Sequence, residues 1–570
     1  MFLSIHKYMA SLQAIRTKGH TYWRIVESRR VNGKPRPVPV LYLGTADALL
    51  ERLLSGGSGA LRVQSFEHGM VAVLKAAAER LQVAELIDRH VPSGPSKGLS
   101  LGETLVLAAL NRACHPCSKR AWRDWAAHTS LAQFYPGVDL DALTSQFFWE
   151  QMDALPEQAL AAIEADLVQT TVHELGINLD TLFFDTTNFY TFIDSGNDRT
   201  DLPRRGHNKQ HRNDLRQVGL GLLVSREGQL PLLSQVYPGN ENDATCFPKA
   251  LGLIRERLQQ LGLPMERLTL VFDRGNNSRE NFKAVDQGPH GYVAALSPAS
   301  VPDLRDLPAT AYHTLTDGPM AGLPVHREKR VVWGAERTVL LFVSEELRQA
   351  QLRGLEQQLT KRLRELEDWR QKLAKPRSGP KDVAKALAKV QDGQYLKSFL
   401  TVIFDPAKEG MDRLAWSLDL EARSRIEAHF GKRVLITSRH DWTDEAILSA
   451  YRGQSQAEAS FRQLKDDDHL AVRPQYHWTD QKIRVHAFIC LAALLMARTV
   501  EHEARKAGFT GSLSGLLDQM GKLRLAMVLQ PTQGRPRCTW QLEETDPANL
   551  ALFSKLVPAK APFCYTDLPD

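Results

Sequence analysis

The sequence predicts an α/β protein, and three observations carry that reading. The runs "DTLFFDTTNFYTF", "RQVGLGLLVSREG" and "QLPLLSQVYPG" follow one another closely, rich in the β-branched and aromatic residues that suit a sheet interior. A helical pattern near 243–262 then leads into "RLTLVFDRG" and, after a second short helix, "GYVAALS". Such strand–helix–strand alternation implies parallel additions to the same sheet. After a long interruption, "GKRVLITS" (431–438) resumes the strand pattern.

At 570 residues the chain has room for roughly three or four domains of about 150 residues each. Its 43% hydrophobic and 24% charged content is that of a globular protein and excludes a disordered one. The net charge of +6 leans mildly towards polyanionic partners, and its distribution says more. Residues 1–40 hold eight Lys or Arg against one acid, Glu27. The stretch from Arg199 to Arg216 holds six against Asp201 and Asp214. Six scattered cysteines argue against a disulfide scaffold and for a reducing compartment. Cys114 and Cys117 form the one close pair, and no second pair completes a zinc site. The N-terminus lacks signal-peptide organisation, and "AFICLAALLMA" (487–497) is about half the length a membrane span needs. A soluble, cytoplasmic protein with no membrane partner is expected.

Taken in order, residues 1–45 read as a basic β-hairpin region, with two alternating runs around Asn32-Gly33. From 46 to 178 apolar spacings of three and four predict a helical domain. The first three strands of the α/β part, joined by short connections, suggest an antiparallel meander within 179–299. Residues 300–430 break the rhythm and read as a mixed β and helical insertion. It carries a charged helix with Leu352, Leu355, Leu359, Leu363 and Leu366 on one face. That stripe reads as packing inside the insertion, with a dimer contact as the sharper option. The α/β pattern resumes over 431–510, where a capped helix starts near Asp441 or Thr443 and runs through "DEAILSAYRGQSQAEASFRQLKDDD". Residues 511–570 form a tail with little legible chemistry.

Three carboxylates stand out by context. Asp185 interrupts an apolar strand, where an ionised group without a partner costs several kcal/mol or shifts its pKa. Asp273 ends the strand "LTLVF", and ligand sites in such sheets gather at the carboxyl ends of strands. Glu458 lies mid-helix, with Tyr451 and Lys465 seven residues to either side on roughly the same face. Hard oxygen ligands from separate elements, with no His or Cys nearby, suit Mg²⁺ or Mn²⁺. Two such ions about 4 Å apart clamp both oxygens of a phosphodiester displacement. The plainer readings stand beside this one: a strand-end cap for either aspartate and a solvated helix face for the glutamate. In the stretch "RRGHNKQHR" (204–212) the His207 and His211 spacing suggests a metal, but the surrounding cations favour a solvated loop or a phosphate contact on the rim of the site.

The motifs "FFDTTNF", "VFDRG" and "Y-x2-Q-x3-E-x6-K" together resemble the DDE transposases of bacterial insertion sequences. The resemblance is to the branch with a Y-x2-R-x3-E-x6-K signature and a long insertion before the glutamate. It extends over further blocks, including "YPGNENDA" and "VRPQYHWTDQKIRVHAFICLAALLMA", from about 22 to 500. It implies a ribonuclease H-like core interrupted by the insertion, with two Mg²⁺ (or Mn²⁺) ions held by Asp185, Asp273 and Glu458. It also implies nicking of transposon ends and joining of the freed 3′-OH to target DNA. By the same resemblance Tyr451 and Lys465 would be the signature residues near the DNA backbone. Arg462, His207, Lys209, Arg212 and Arg274 are the further candidates for DNA contact. The partners the resemblance implies are DNA (terminal inverted repeats and target), with the helical 46–178 domain as the candidate for binding the ends, and a second copy of the chain, since two ends are handled together. One departure is plain: Gln454 stands at the signature arginine position. Rival readings are a nuclease of the same fold that does not join ends, and a catalytically silent DNA-binding derivative. A metal-dependent phosphatase acting on small molecules fits the basic stretches poorly.

Overall fold

The chain divides into two units in the computed structural model. It describes residues 10–17, 20–31, 34–47, 50, 62–194, 196–206, 212, 214–373, 383, 387–390, 393, 395–530 and 537–557. One unit comprises Met1–Val73, Ala126–Pro136 and Asp518–Asp570; the other comprises Leu74–Trp125 and Gly137–Leu517.

In the first unit, β1 (Ala10–Thr17), β2 (His20–Val31) and β3 (Lys34–Thr45) form an antiparallel sheet. Val31 pairs with Lys34, and the Asn32-Gly33 dipeptide of the expected turn lies outside the described residues. β1 adds a third strand that the hairpin reading did not include. A second sheet sets Arg524–Gln530 between Arg537–Leu542 and β4 (Arg62–Glu67). Within the stretch from 46 to 178, expected to be helical, Arg62–Glu67 is therefore a strand, and the C-terminal stretch read as a tail is strand and helix. The reason is pairing. β4 is too polar and short to hold itself, and Leu525 and Met527 lie opposite Phe66 and Gln64 across an antiparallel ladder.

The second unit is built on one nine-stranded mixed sheet. β5 (Thr181–Tyr190), β6 (Gln217–Ser225) and β7 (Pro231–Pro238) form the expected antiparallel meander. β8 (Thr269–Phe272) and β9 (Gly291–Leu296) add in parallel on the other side of β5, so the order there is β7-β6-β5-β8-β9. β10 (His313–Thr314), β11 (Pro324–Val332) and β12 (Ala335–Val343) also join this sheet. The first part of the expected insertion is thus an extension of the core sheet. Its cause lies in "TVLLFV": an apolar strand buried on both faces needs neighbours on both sides.

The segment that leaves the sheet begins after β12. It holds the helix Glu345–Leu373, the hairpin of β13 (Leu400–Phe404) and β14 (Leu414–Leu418), and the helix Leu420–Glu427. Leu355, Leu359 and Leu366 are buried against this segment's own residues, among them Leu400, Leu414 and Phe430, so the leucine stripe packs within the insertion. β15 (Lys432–Thr437) then returns between β12 and β9, antiparallel to both, with Val343 opposite Lys432.

The helix Asp480–Lys506 contains "AFICLAALLMA" and is longer than that run alone suggested. By length and composition it is able to cross a membrane, but 89% of its most apolar window is buried inside the protein, as in a core helix. Its N-terminus is capped by Thr479, whose side chain accepts from the Lys482 amide.

Burial holds several histidines neutral. His68 and His290 are each lowered to about 4, by burial first, and His477 to about 3. In the unfolded chain these groups bind protons below the ordinary histidine value of 6.5, while in the fold they do not. Stability is therefore fully present above that value and is lost as pH falls towards 4. Denaturant titrations followed by circular dichroism at successive pH values should show the midpoint dropping through this window, and His290→Gln should flatten the slope.

Candidate functional site

The site is set by the alternation of side chains along β5. Phe184 packs its ring 5.7 Å from Phe247 on the helix Asp243–Gln260, and Thr186 donates to the Asp243 carboxylate at 2.7 Å. The even positions thus face that helix. Phe183 lies against Gly453, and the Lys465 ammonium donates to the Thr187 hydroxyl at 2.6 Å. The odd positions, Asp185 among them, face the opposite side, where Tyr451 and Glu458 are carried. Burial also changes at this point: Thr181 to Phe184 are buried, and Asp185 to Asn188 are half-buried. The strand emerges from the core at the carboxylate, which removes the problem of an isolated charge in a dry interior.

β8 repeats the pattern beside it. Phe184 and Phe272 are register partners in the parallel ladder, and the Phe272 ring lies 4.8 Å from the same Phe247. The next residues along each strand are Asp185 and Asp273. With neighbouring strands about 4.8 Å apart, the two carboxylates start from adjacent backbone positions on one face. Asp273 is exposed and still extended, and the chain turns immediately after it through Arg274–Asn276.

Tyr451, Glu458 and Lys465 do not share one helix. Tyr451 lies near the end of Asp444–Arg452, Glu458 in the first turn of a new helix, Ser455–Gln463, and Lys465 beyond its end. At the junction the amides of Gln454, Gln456 and Ala457 bond three residues back instead of four, which tightens the backbone into a 3₁₀-like turn. Gly453 is the cause in the sequence. Its backbone is helical, yet a Cβ there would lie 2.3 Å from the Phe183 ring. Only glycine lets the junction descend onto β5, and Glu458 is thereby brought over the face that carries Asp185 and Asp273.

A cleft of about 1120 Å³ runs along this side of the second unit. Asp273, Arg274, Tyr451, Gln454 and Glu458 line it, with Arg305, Lys432, Arg433 and Arg452 around them and Tyr395, His429 and Phe430 of the insertion beyond. Asp185 is not on its lining; it joins the group through its register with Asp273. The Tyr451 hydroxyl is pushed up by burial and by the Asp273 charge, while Arg433 acts against the shift by charge and hydrogen bonding. Tyr451 therefore lies within electrostatic reach of Asp273, Glu458 and Arg433.

The remaining sequence candidates divide. Lys465 is at the site, over the Phe189 ring at 5.4 Å as well as on Thr187. Arg274 and Arg462 are exposed. Arg212 forms a two-pronged pair with Asp214 at 2.9 and 2.8 Å and lies over the Tyr190 ring at 5.6 Å. His207 and Lys209 lie outside the described residues. Gln454 is 7% exposed, and its Oε1 has no hydrogen-bond partner. Sequence reasoning passed over Arg433, whose signal was a basic opening to the strand "KRVLIT". It also passed over Asp243, next to the cap residue Asn242 in "NENDA".

As a cation site, the donor set is three carboxylates without sulfur or imidazole, which fits Mg²⁺ or Mn²⁺. Among the described residues, no three His, Cys, Asp or Glu side chains are close enough together to hold an ion. Asp185 and Asp273 each directly follow one of the register partners Phe184 and Phe272.

No family model matches the chain, and no curated protein matches it. Among solved structures it is similar to a cryo-EM structure of piggyBac transposase synaptic complex with hairpin DNA. That likeness has a TM-score of 0.37 at 7% identity and covers 81% of this chain and 82% of the other. It is too faint to assign a fold or an activity.

The Gly453 contact gives a direct test. Alanine in a helical backbone ordinarily gains about 1 kcal/mol over glycine, whereas forcing a methyl into a filled contact costs about 1–3 kcal/mol. Gly453→Ala should therefore lower stability, by up to about 2 kcal/mol, in urea unfolding. Gly252→Ala and Gly354→Ala, in helices with open space at the Cβ position, should raise it.

Proposed function

We propose that the chain is a DDE-type DNA transposase, which nicks the ends of a mobile element and joins the freed 3′-OH to target DNA. The observation that carries this reading is the position of Asp185 and Asp273 directly after the register partners Phe184 and Phe272 of two parallel strands, with Asp273 and Glu458 lining one cleft. The strand order β7-β6-β5-β8-β9, three antiparallel and two added in parallel, supports a ribonuclease H-like core around them. The single point of departure and return at Val343 and Lys432 supports an insertion into that core before the glutamate.

On this reading Asp185, Asp273 and Glu458 hold two Mg²⁺ (or Mn²⁺) ions. When bound, such ions lower the cost of negative charge on the attacking and leaving oxygens of the phosphodiester. The residues of the chain do the rest. The β5–β8 register holds two carboxylates at fixed spacing before the substrate arrives. The Ser455–Gln463 helix carries the third, and its approach to the pair completes the ligand set. Lys465, braced on Thr187 and Phe189, offers an ammonium to a phosphate on the same face. The basic 1–40 region suits the sequence-independent grip on duplex DNA that precedes cutting. A dimer follows from the need to hold two ends together.

Labelled DNA taken from the regions flanking the gene tests the reading in a cleavage and strand-transfer assay with Mg²⁺. Asp185→Asn, Asp273→Asn and Glu458→Gln should each reduce both steps by about 10²–10³-fold. Cleavage that survives Asp185→Asn would refute the site. Hydrolysis with no joined product would instead make the chain a nuclease.

A further inference from the structure

We propose that the exposed rings of Phe192 and Tyr476 form a stacking platform for unpaired bases of a single DNA strand held at the carboxylate site. The inference deepens the activity proposed for that site and rests on it. β5 runs on past Asp185 to Tyr190, about 17 Å away at ~3.4 Å per residue. Beyond the strand, Ile193 packs against Leu202, Val218 and Ile483, while its neighbour Phe192 faces outwards and is 45% exposed. Tyr476 is 52% exposed, and its ring lies 5.5 Å from that of Phe192 at an angle of 32°. The Tyr190 ring meets Phe192 edge-on at 5.7 Å. A single exposed aromatic needs no explanation, but rings in contact make a patch, and an apolar patch rimmed by polar groups marks a binding surface.

The platform is fixed before any ligand arrives. The Phe192 amide donates to the Gln475 carbonyl at 3.0 Å, and the Thr191 amide donates to the Arg216 carbonyl at 2.7 Å. The two segments that carry the exposed rings are thus joined backbone to backbone. Cations interleave with the aromatics. The guanidiniums of Arg473 and Arg212 lie 4.8 and 5.6 Å from the Tyr190 ring, and the Lys465 ammonium lies 5.4 Å from the Phe189 ring. Arg473 also donates to the Tyr190 hydroxyl and, at 3.2 Å, to the Lys465 carbonyl, so Lys465 and the platform share one anchor. The carboxylates of this region are engaged. Asp214 accepts from Arg212, Asp467 accepts from Arg473 at 3.1 Å, and Asp194 accepts from the Gly196 amide. A guanidinium has five N–H donors, so each arginine keeps some for phosphate oxygens. Rings for bases beside guanidiniums for phosphates are the chemistry that holds single strands. A duplex buries its base faces, so only an unpaired strand can use the rings. Freeing a 3′-OH leaves such a strand at the carboxylates, and about five nucleotides at ~3.4 Å each span the distance to Tyr190.

The test uses the full chain with a fluorescein-labelled thymidylate oligomer of about 20 nucleotides and a labelled duplex of the same length, in EDTA so that nothing is cut. Anisotropy is read across a salt series. Phe192→Ala and Tyr476→Ala should each weaken oligomer binding about tenfold, the loss of one stacked base, with the salt slope and the duplex affinity unchanged. Phe192→Tyr and Tyr476→Phe should bind as the wild type does, since each keeps its ring. Arg212→Ala should instead lower the slope of log affinity on log salt by about 0.7, one phosphate contact on a single strand. A merely structural role for the rings would move oligomer and duplex together. No oligomer binding by the wild type, or binding that survives both alanine substitutions, overturns the proposal, as does an equal loss on the duplex. A change in sedimenting mass with oligomer binding intact would make the patch an interface between copies and refute the platform. A wild-type protein that binds the oligomer through these rings but neither cuts nor joins DNA in Mg²⁺ sinks the transposase reading and leaves the platform standing.

Discussion

The register between β5 and β8 is the constraint on which the rest of the site depends. Phe184 stands beside Phe272, and both rings rest on Phe247. Because side chains alternate, this one alignment puts Asp185 and Asp273 together on the opposite face. A slip of one residue would send one aspartate into the aromatic layer and leave the other alone. The aromatic contacts contribute to stability, at roughly 1.5–3 kcal/mol for each buried ring. Their larger consequence is geometric: they make every other register costly.

The second face is organised by a contact of a different kind. Gly453 allows a helix junction to sit on Phe183 with nothing between them, and the tightened turn that follows redirects the chain before Glu458. On the near side of that junction stands Tyr451 with Arg433; on the far side stand Glu458 and Lys465. Arg433 and Glu458 therefore reach the cleft from separate elements, the first on β15 and the second on the helix Ser455–Gln463. Such an arrangement keeps opposite charges from collapsing onto one another, and among the described residues Glu458 and Arg433 enter no ion pair with each other.

Much of this was legible in the sequence, for reasons that differ from element to element. The meander and the parallel additions were readable because β-branched and aromatic runs, turn residues and helical spacings all agreed. Asp185 and Asp273 were readable because each breaks or ends an apolar run. The break between Tyr451 and Glu458 was not, since a seven-residue spacing fits one helix as well as two, and Gly453 matters only through a ring on a distant strand. The placement of β10 to β12 in the main sheet was also hidden. An apolar strand announces that it will be buried without naming its neighbours. β4 and the C-terminal strands could not be assigned because their pairing spans most of the chain, and local pattern carries no trace of a partner so remote. Asp243 looked like an ordinary residue beside a helix cap, and its bond to Thr186 exists only once the sheet is formed.

The insertion leaves and rejoins the sheet at adjacent positions of one ladder, Val343 and Lys432, and packs its leucines against itself. Its two ends are therefore closed by backbone hydrogen bonds regardless of what lies between them. Chain-closure entropy grows only slowly with loop length, by about 0.6 kcal/mol for each doubling. The sheet is thus nearly indifferent to the size of the excursion. The β12–β15 ladder works as a socket: a lineage is free to lengthen, shorten or replace the body mounted there, and so to remodel one wall of the cleft, while the two aspartates keep their places.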